Sequence, residues 1–203
     1  MTGVTHSATA ASEPAPQRRS EASCPSPADA CAHLSREGFG IGEHSVLIAD
    51  RQSDVQIDSE RYRVLVCQVL EAEGVPPGAE TAVTFVGSDE MARLNETHMG
   101  HDGPTDVLAF PLDLVSGAQS PGDRGAGPVM AGDVVVCPAV AASNAPAGTR
   151  SRPGHDGSTT AEIDLLVVHG VLHLLGMDHA EPDEAAAMRA RESEHLHSLW
   201  SRP

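Results

Sequence analysis

The alternation of apolar runs and chain breakers predicts an α+β fold: a single domain with one mixed sheet of about four strands and four to five helices. Three observations carry this. Four short β-rich runs lie near residues 45–50, 81–86, 107–110 and 134–137, rich in Val, Ile, Thr and Phe and bounded by breakers. Segments with helical apolar spacing separate and follow them. One segment, residues 163–175, is apolar nearly all round, which marks a central, buried helix.

Each element has its local reasons. Residues 45–50 read as a strand, with Val55 and Ile57 as an extension of it. Residues 58–74 place Val64, Leu65, Val69 and Leu70 on one helical face and stop at Gly74. After the Pro76-Pro77-Gly78 loop, residues 81–86 form the second strand. A short helix follows over residues 89–98, with Met91 and Leu94 on its apolar face. Val107 to Phe110 is a strand ended by Pro111, residues 112–128 are a Gly/Ser/Pro-rich loop, and Val134 to Cys137 is the fourth strand. A helix starts at Pro138 and breaks at Asn144, so residues 144–158 read as a flexible insertion. Thr159 caps the next helix with Glu162 three residues on, and Gly176 ends it. The last helix opens at Pro182, carries Asp183 and Glu184 in its first turn, and runs to about Trp200.

The two ends of the chain differ. Residues 1–44 are rich in Ala, Ser, Pro and Glu without sustained apolar periodicity. Such a stretch buries too little apolar surface to offset the entropy of ordering, so it reads as a disordered extension. Residues 45–203 hold the functional domain and are long enough for a core. No run is long and apolar enough to span a bilayer, and the first residues lack the apolar centre of a secretory signal; the expectation is a cytoplasmic protein. Of the four cysteines, Cys67 and Cys137 sit in apolar runs and read as reduced buried thiols, while Cys24 and Cys31 read as an incidental pair in a Pro-rich tail.

Charge narrows the function classes. The formal net charge is −16, and all 13 basic residues are arginines. That argues against broad electrostatic attraction to nucleic acid, and no DNA partner is expected; a local basic groove stays open. Five aromatics, Phe39, Tyr62, Phe85, Phe110 and Trp200, offer few platforms for stacking bases.

The chemistry concentrates in residues 169–179, HGVLHLLGMDH. His169 and His173 are four residues apart, and on a helix they share a face with Cβ atoms about 5–6 Å apart. That suits two imidazoles meeting one ion at about 2.0–2.1 Å. Gly176 lets the chain turn sharply, which brings His179 to the same ion. Three protein ligands leave a fourth position for water, the arrangement of a catalytic site. The residues therefore predict one divalent ion per chain, assigned as zinc, on His169, His173 and His179, and hydrolysis as its use. The spacing matches HExxHxxGxxH of the metzincin proteases, but Gly170 stands where their general-base Glu would be. A protease is disfavoured.

Residues 169–179 fit HGxLHLxGxDH, a signature of the YbeY family of bacterial metallo-endoribonucleases, at every fixed position. Leu94-Asn95 followed by residues 103–111, GPTDVLAFP, resembles the family's LN…PTDVLSFP block, and Gly132 to Val136 resembles its GDI-type strand. The resemblance covers roughly residues 46–200 in order. It implies zinc on the three histidines and single-strand-specific RNA cleavage linked to the 3′ end of small-subunit rRNA. It further implies a role in ribosome quality control, with precursor rRNA and the small ribosomal subunit as partners. Two positions depart from the pattern. Met99 stands where the family often has an arginine, and methionine cannot hold a phosphate. Ala109 replaces a Ser, with an expected effect on packing only.

Other polar residues carry two readings each. Thr105 and Asp106 reach substrate or cap the turn. Asp133 orients a ligand histidine or accepts loop N–H groups. Arg93 and the Arg150/Arg152 pair replace the missing arginine or are solvated charge. Asp178 bonds within its turn. His98 and His101 belong to a polar turn, and His195 and His197 to the last helix. The general base is left unassigned, with Thr105, Asp106 and Asp133 as catalytic candidates. A second function class, a ribosome-biogenesis binding factor whose metal is mainly structural, is favoured by Met99 and the acidic charge.

Overall fold

A computed structural model describes residues 44–112 and 129–200. The N-terminal extension up to residue 43, Cys24, Cys31 and nearly all of the 112–128 loop lie outside the described residues. The order is β1 (Ser45–Arg51), α1 (Ser59–Ala72), β2 (Glu80–Val86), α2 (Ser88–Met99), β3 (Val107–Pro111), β4 (Met130–Val136), α3 (Pro138–Ser151), α4 (Thr159–Leu174) and α5 (Pro182–Trp200). The four strands form one mixed sheet in the order β1-β2-β4-β3. β1 and β4 both run parallel to β2, and β3 lies antiparallel to β4 at the edge. The α+β class, with one mixed sheet and five helices, is as the sequence predicts.

The main core lies between α1, α4 and α5 and one face of the sheet. Val66, Leu70, Val83, Phe85, Val134, Val167, Val171 and Leu172 are fully enclosed there. A smaller cluster joins Val86, Met91, Leu108 and Cys137 with Leu94 and Phe110 partly buried against it. Cys67 and Cys137 are buried free thiols, as expected.

Helix α4 is central because its apolar side chains lie all round its axis; from Ala161 to Leu174 only His169 and His173 are not buried. Its cap is Ser158 rather than Thr159: the Ser158 hydroxyl accepts from the Ala161 N–H at 3.1 Å. Thr159 is the first helical residue. Glu162, expected to reach back to the cap, lies beside His155 Nε2 at 3.0 Å instead. The carboxylate is buried there, beside the enclosed His155 ring.

Helix α3 differs more from expectation. The segment from Asn144, read as a break, is helical through Ser151 despite Pro146 inside it. Ala141 and Ala145 are buried one turn apart and give the helix a packed face. The Asn144 side chain, which competes with a helix when it bonds locally, instead donates across to Asp106 Oδ2 at 3.1 Å. Gly148 is a packing residue: a Cβ there would stand 2.6 Å from the His155 ring.

Candidate metal centre

The histidine cluster is built by the end of α4. Leu175 caps the helix, and Gly176 takes the left-handed conformation with φ 86°. The Gly176 N–H donates to the His173 carbonyl at 3.0 Å and the Met177 N–H to the Leu172 carbonyl at 3.1 Å. This is the Schellman pair that closes a helix and reverses the chain. Asp178 then accepts the His179 N–H at 2.7 Å, the role within the turn expected of it. The reversal sets the His179 ring 5.4 Å from that of His169 and 5.0 Å from that of His173, centroid to centroid.

His169, His173 and His179 each offer one ring nitrogen, and these nitrogens lie within 4.8 Å of one another. It is the one such cluster among the described residues. The Nε2 atoms of His169 and His173 are 3.1 Å apart. Two nitrogens on one tetrahedral ion at about 2.0–2.1 Å stand roughly 3.3–3.4 Å from each other, so the pair needs almost no adjustment. Burial, and then the neighbouring His169 and His179, hold His173 below the usual imidazole range. A neutral ring is the form that ligates. Donor type and spacing both fit a divalent ion.

Gly170 has a physical reason to be glycine. A Cβ there would lie 2.5 Å from Val134 Cγ1 and 3.4 Å from Val107 Cγ2. The helix rests directly on β3 and β4, so the position that carries the base in the protease pattern has no room for a side chain.

A cavity of about 370 Å³ opens beside the cluster, lined by the three histidines, Gly170, Met99, Asp106 and the β3 residues Val107, Leu108, Ala109 and Pro111. Its volume lies in the range of small-ligand sites. Asp106 is the only acidic residue of this lining. Its Oδ1 accepts the Val107 N–H at 2.9 Å and the Thr105 hydroxyl at 3.3 Å, and its Oδ2 accepts from Asn144. Thr105 thus caps Asp106 and stands outside the lining.

Asp133 is exposed, while its neighbour Val134 faces Gly170. Strand alternation therefore turns Asp133 to the sheet face away from α4, and it does not orient a ligand. The carboxylate that does reach the histidine cluster is Glu192 of α5, whose Oε1 lies 2.7 Å from His169 Nδ1. Its Oε2 accepts from Arg152, just past α3. Burial pushes the Glu192 carboxyl up, but the His169 hydrogen bond and the Arg152 charge outweigh it and hold it below the ordinary range. Arg152, read as a replacement arginine or a solvated charge, is neither. Arg93 is exposed on α2, and the Arg150 side chain lies outside the described residues. Met99 lines the cavity with 46% of its surface exposed. His98 packs edge-on against Phe110 at 4.9 Å between centroids. His195, placed in the last helix by the sequence, has its side chain nearly enclosed and bonds Glu73 through Nε2 at 2.6 Å. Spacing alone could have flagged Glu192: Met188 and Leu196, one turn to either side, are buried, so it occupies a core-facing position of α5.

Comparison with known proteins bears on these residues. The family model described as Endoribonuclease YbeY matches residues 47–200. A protein of that name from Salinispora tropica is 45% identical over 160 residues, covering 77% of this chain and 97% of the relative. One from Thermobifida fusca is 47% identical over 152 residues, covering 74% and 91%. Another from Beutenbergia cavernae is 44% identical over 137 residues, covering 68% and 85%.

Proposed function

Because this chain belongs to the endoribonuclease YbeY family, we propose that it is a zinc-dependent, single-strand-specific endoribonuclease. Its proposed task is 3′-end maturation of 16S rRNA and ribosome quality control, in the cytoplasm and on the small ribosomal subunit. The carrying observation is the convergence of three imidazoles at the wall of a cavity sized for a small ligand. No helix among the described residues is long and apolar enough to cross a membrane.

In this reading His169, His173 and His179 hold one zinc ion per chain. Zinc, when bound, supplies a Lewis acid for a phosphoryl oxygen and lowers the pKa of water toward about 7. The remaining steps fall to the chain. Met99 and the β3 residues form an apolar wall that seats an unpaired nucleotide and sheds water. Asp106, held by Asn144 and the Val107 N–H, faces that space and is the candidate to take a proton from the attacking group. The lining has no arginine or lysine, so the ion is the principal positive charge available to a phosphate. Thr105 and Asp133 stand outside the lining and carry no catalytic part.

The test is metal content and cleavage on untagged protein, with His169→Ala in parallel. About one zinc per chain is expected, lost in the variant. Cleavage of single-stranded but not duplex RNA is expected, abolished by chelator and restored by zinc. Folded protein without stoichiometric metal would overturn the proposal. A binding factor with a structural metal is the second reading, favoured by Met99 and the net charge of −16. It calls for a His169→Ala protein that unfolds, where the enzyme reading calls for one that folds and does not cleave.

A further inference from the structure

Glu192 is a carboxylate in a place built for an apolar side chain. It is 1% exposed, and Met188 and Leu196, one turn away on either side, are each 1% exposed. A buried carboxylate is costly unless paired and hydrogen-bonded. Here both oxygens are used: Oε1 on His169 Nδ1 at 2.7 Å, and Oε2 on Arg152.

The geometry has a directional consequence. A carboxylate only accepts, so His169 must donate through Nδ1–H. In the neutral ring, the form that ligates a metal, Nε2 then carries the lone pair, and that is the atom 3.1 Å from His173 Nε2. The tautomer that the carboxylate selects is therefore the one that aims a free electron pair into the cluster. Arg152, the residue that ends α3, fixes the other oxygen and compensates the charge. Three helices thus meet on one imidazole: α4 supplies it, α5 the acceptor and the end of α3 the cation.

We infer that Glu192 is a positioning residue that fixes the tautomer and direction of His169, and that Arg152 holds Glu192 in place. The inference rests on the reading that the three histidines bind metal.

The experiment measures zinc affinity by competition with a chromogenic chelator for the wild-type chain, Glu192→Gln, Glu192→Leu and Arg152→Gln. Nitrogen–proton correlation spectra of the metal-free proteins report the His169 tautomer. Glu192→Leu is expected to weaken zinc about 10- to 100-fold, Glu192→Gln less because its amide oxygen still accepts, and Arg152→Gln in the same direction. Wild type should show His169 as the Nδ1–H form, and Glu192→Leu a mixture with Nε2–H. If Glu192→Leu does not fold, the order wild type above Glu192→Gln in affinity remains the test. Zinc affinity within about twofold of wild type in every folded variant would overturn the inference while leaving the metal reading intact. An unfolding temperature that falls with no change in affinity or tautomer would likewise reduce Glu192 to a structural part. A wild-type chain that binds no zinc would remove the metal reading, and this inference with it.

Discussion

Helices α3 and α4 are neighbours in sequence and in space, and each has a glycine in its interior. In α4, Gly170 lets the helix rest on Val134 and Val107; in α3, Gly148 lets the His155 ring lie against the backbone. α4 announces itself in the sequence through a dense apolar run and a capped start. α3 does not, because its buried side chains are small, Pro138, Ala141 and Ala145, and Pro146 and Gly148 carry the composition of a loop. Helical propensity of such a segment is a weak guide; tertiary packing decides. A glycine inside a helix can thus mark a close approach rather than an end.

Substitutions in the two helices test that contrast. The largest expected effect is in α4: Leu172 is fully buried, and Leu172→Ala should cost about 2–5 kcal/mol by loss of contacts and cavity formation, read from denaturant unfolding. α3 has no buried side chain of that size among its described residues, so no single truncation there should match it. Next come the two glycines. Ala has a higher helix propensity than Gly by about 1 kcal/mol, yet Gly170→Ala should destabilise by about 1–3 kcal/mol through overpacking against Val134. A rise in melting temperature for that variant would contradict the contact. Gly148→Ala should lose a comparable amount, because the buried His155 ring it would meet is held by the Gly157 N–H, Glu162 and Trp200; if it stabilises the protein, the α3 glycine is a mere leftover and the parallel with α4 fails.

The smallest effects concern where α4 begins. Ser158→Ala should cost about 0.5–2 kcal/mol through the lost cap, whereas Thr159→Ala, inside the first turn, should change stability by no more than about 0.5 kcal/mol. Equal losses in the two variants, measured side by side by thermal unfolding, would argue for the cap one residue later.

The candidate site was legible where its parts are close in sequence. His169, His173, Gly176 and His179 form a local pattern whose geometry follows from helix pitch and one left-handed residue. The carboxylate that supports it lies 23 residues farther on, and no local rule ties the two. Asp133 looked suitable as an acid at a strand entry, but its side is set by sheet alternation and register with Phe110, which a sequence does not display. Asn144 was read as a breaker because its partner, Asp106, is 38 residues away. The same holds for the fold. Strand count, the mixed character of the sheet and the buried helix follow from short-range patterning, while the extent of α3 and the roles of Arg152 and His195 depend on partners brought together only by the tertiary structure.

The seating of Gly170 on the sheet also bears on how this scaffold can change its chemistry. In sequence space the zinc-protease pattern is a single residue away, since HGxxH would become HExxH. In three dimensions it is remote. The helix would have to withdraw from β3 and β4 by the thickness of a side chain, and the turn that delivers His179 would travel with it. Two patterns that differ by one letter thus belong to scaffolds with different clearances, and a motif search that forgives that letter compares molecules a single substitution cannot interconvert.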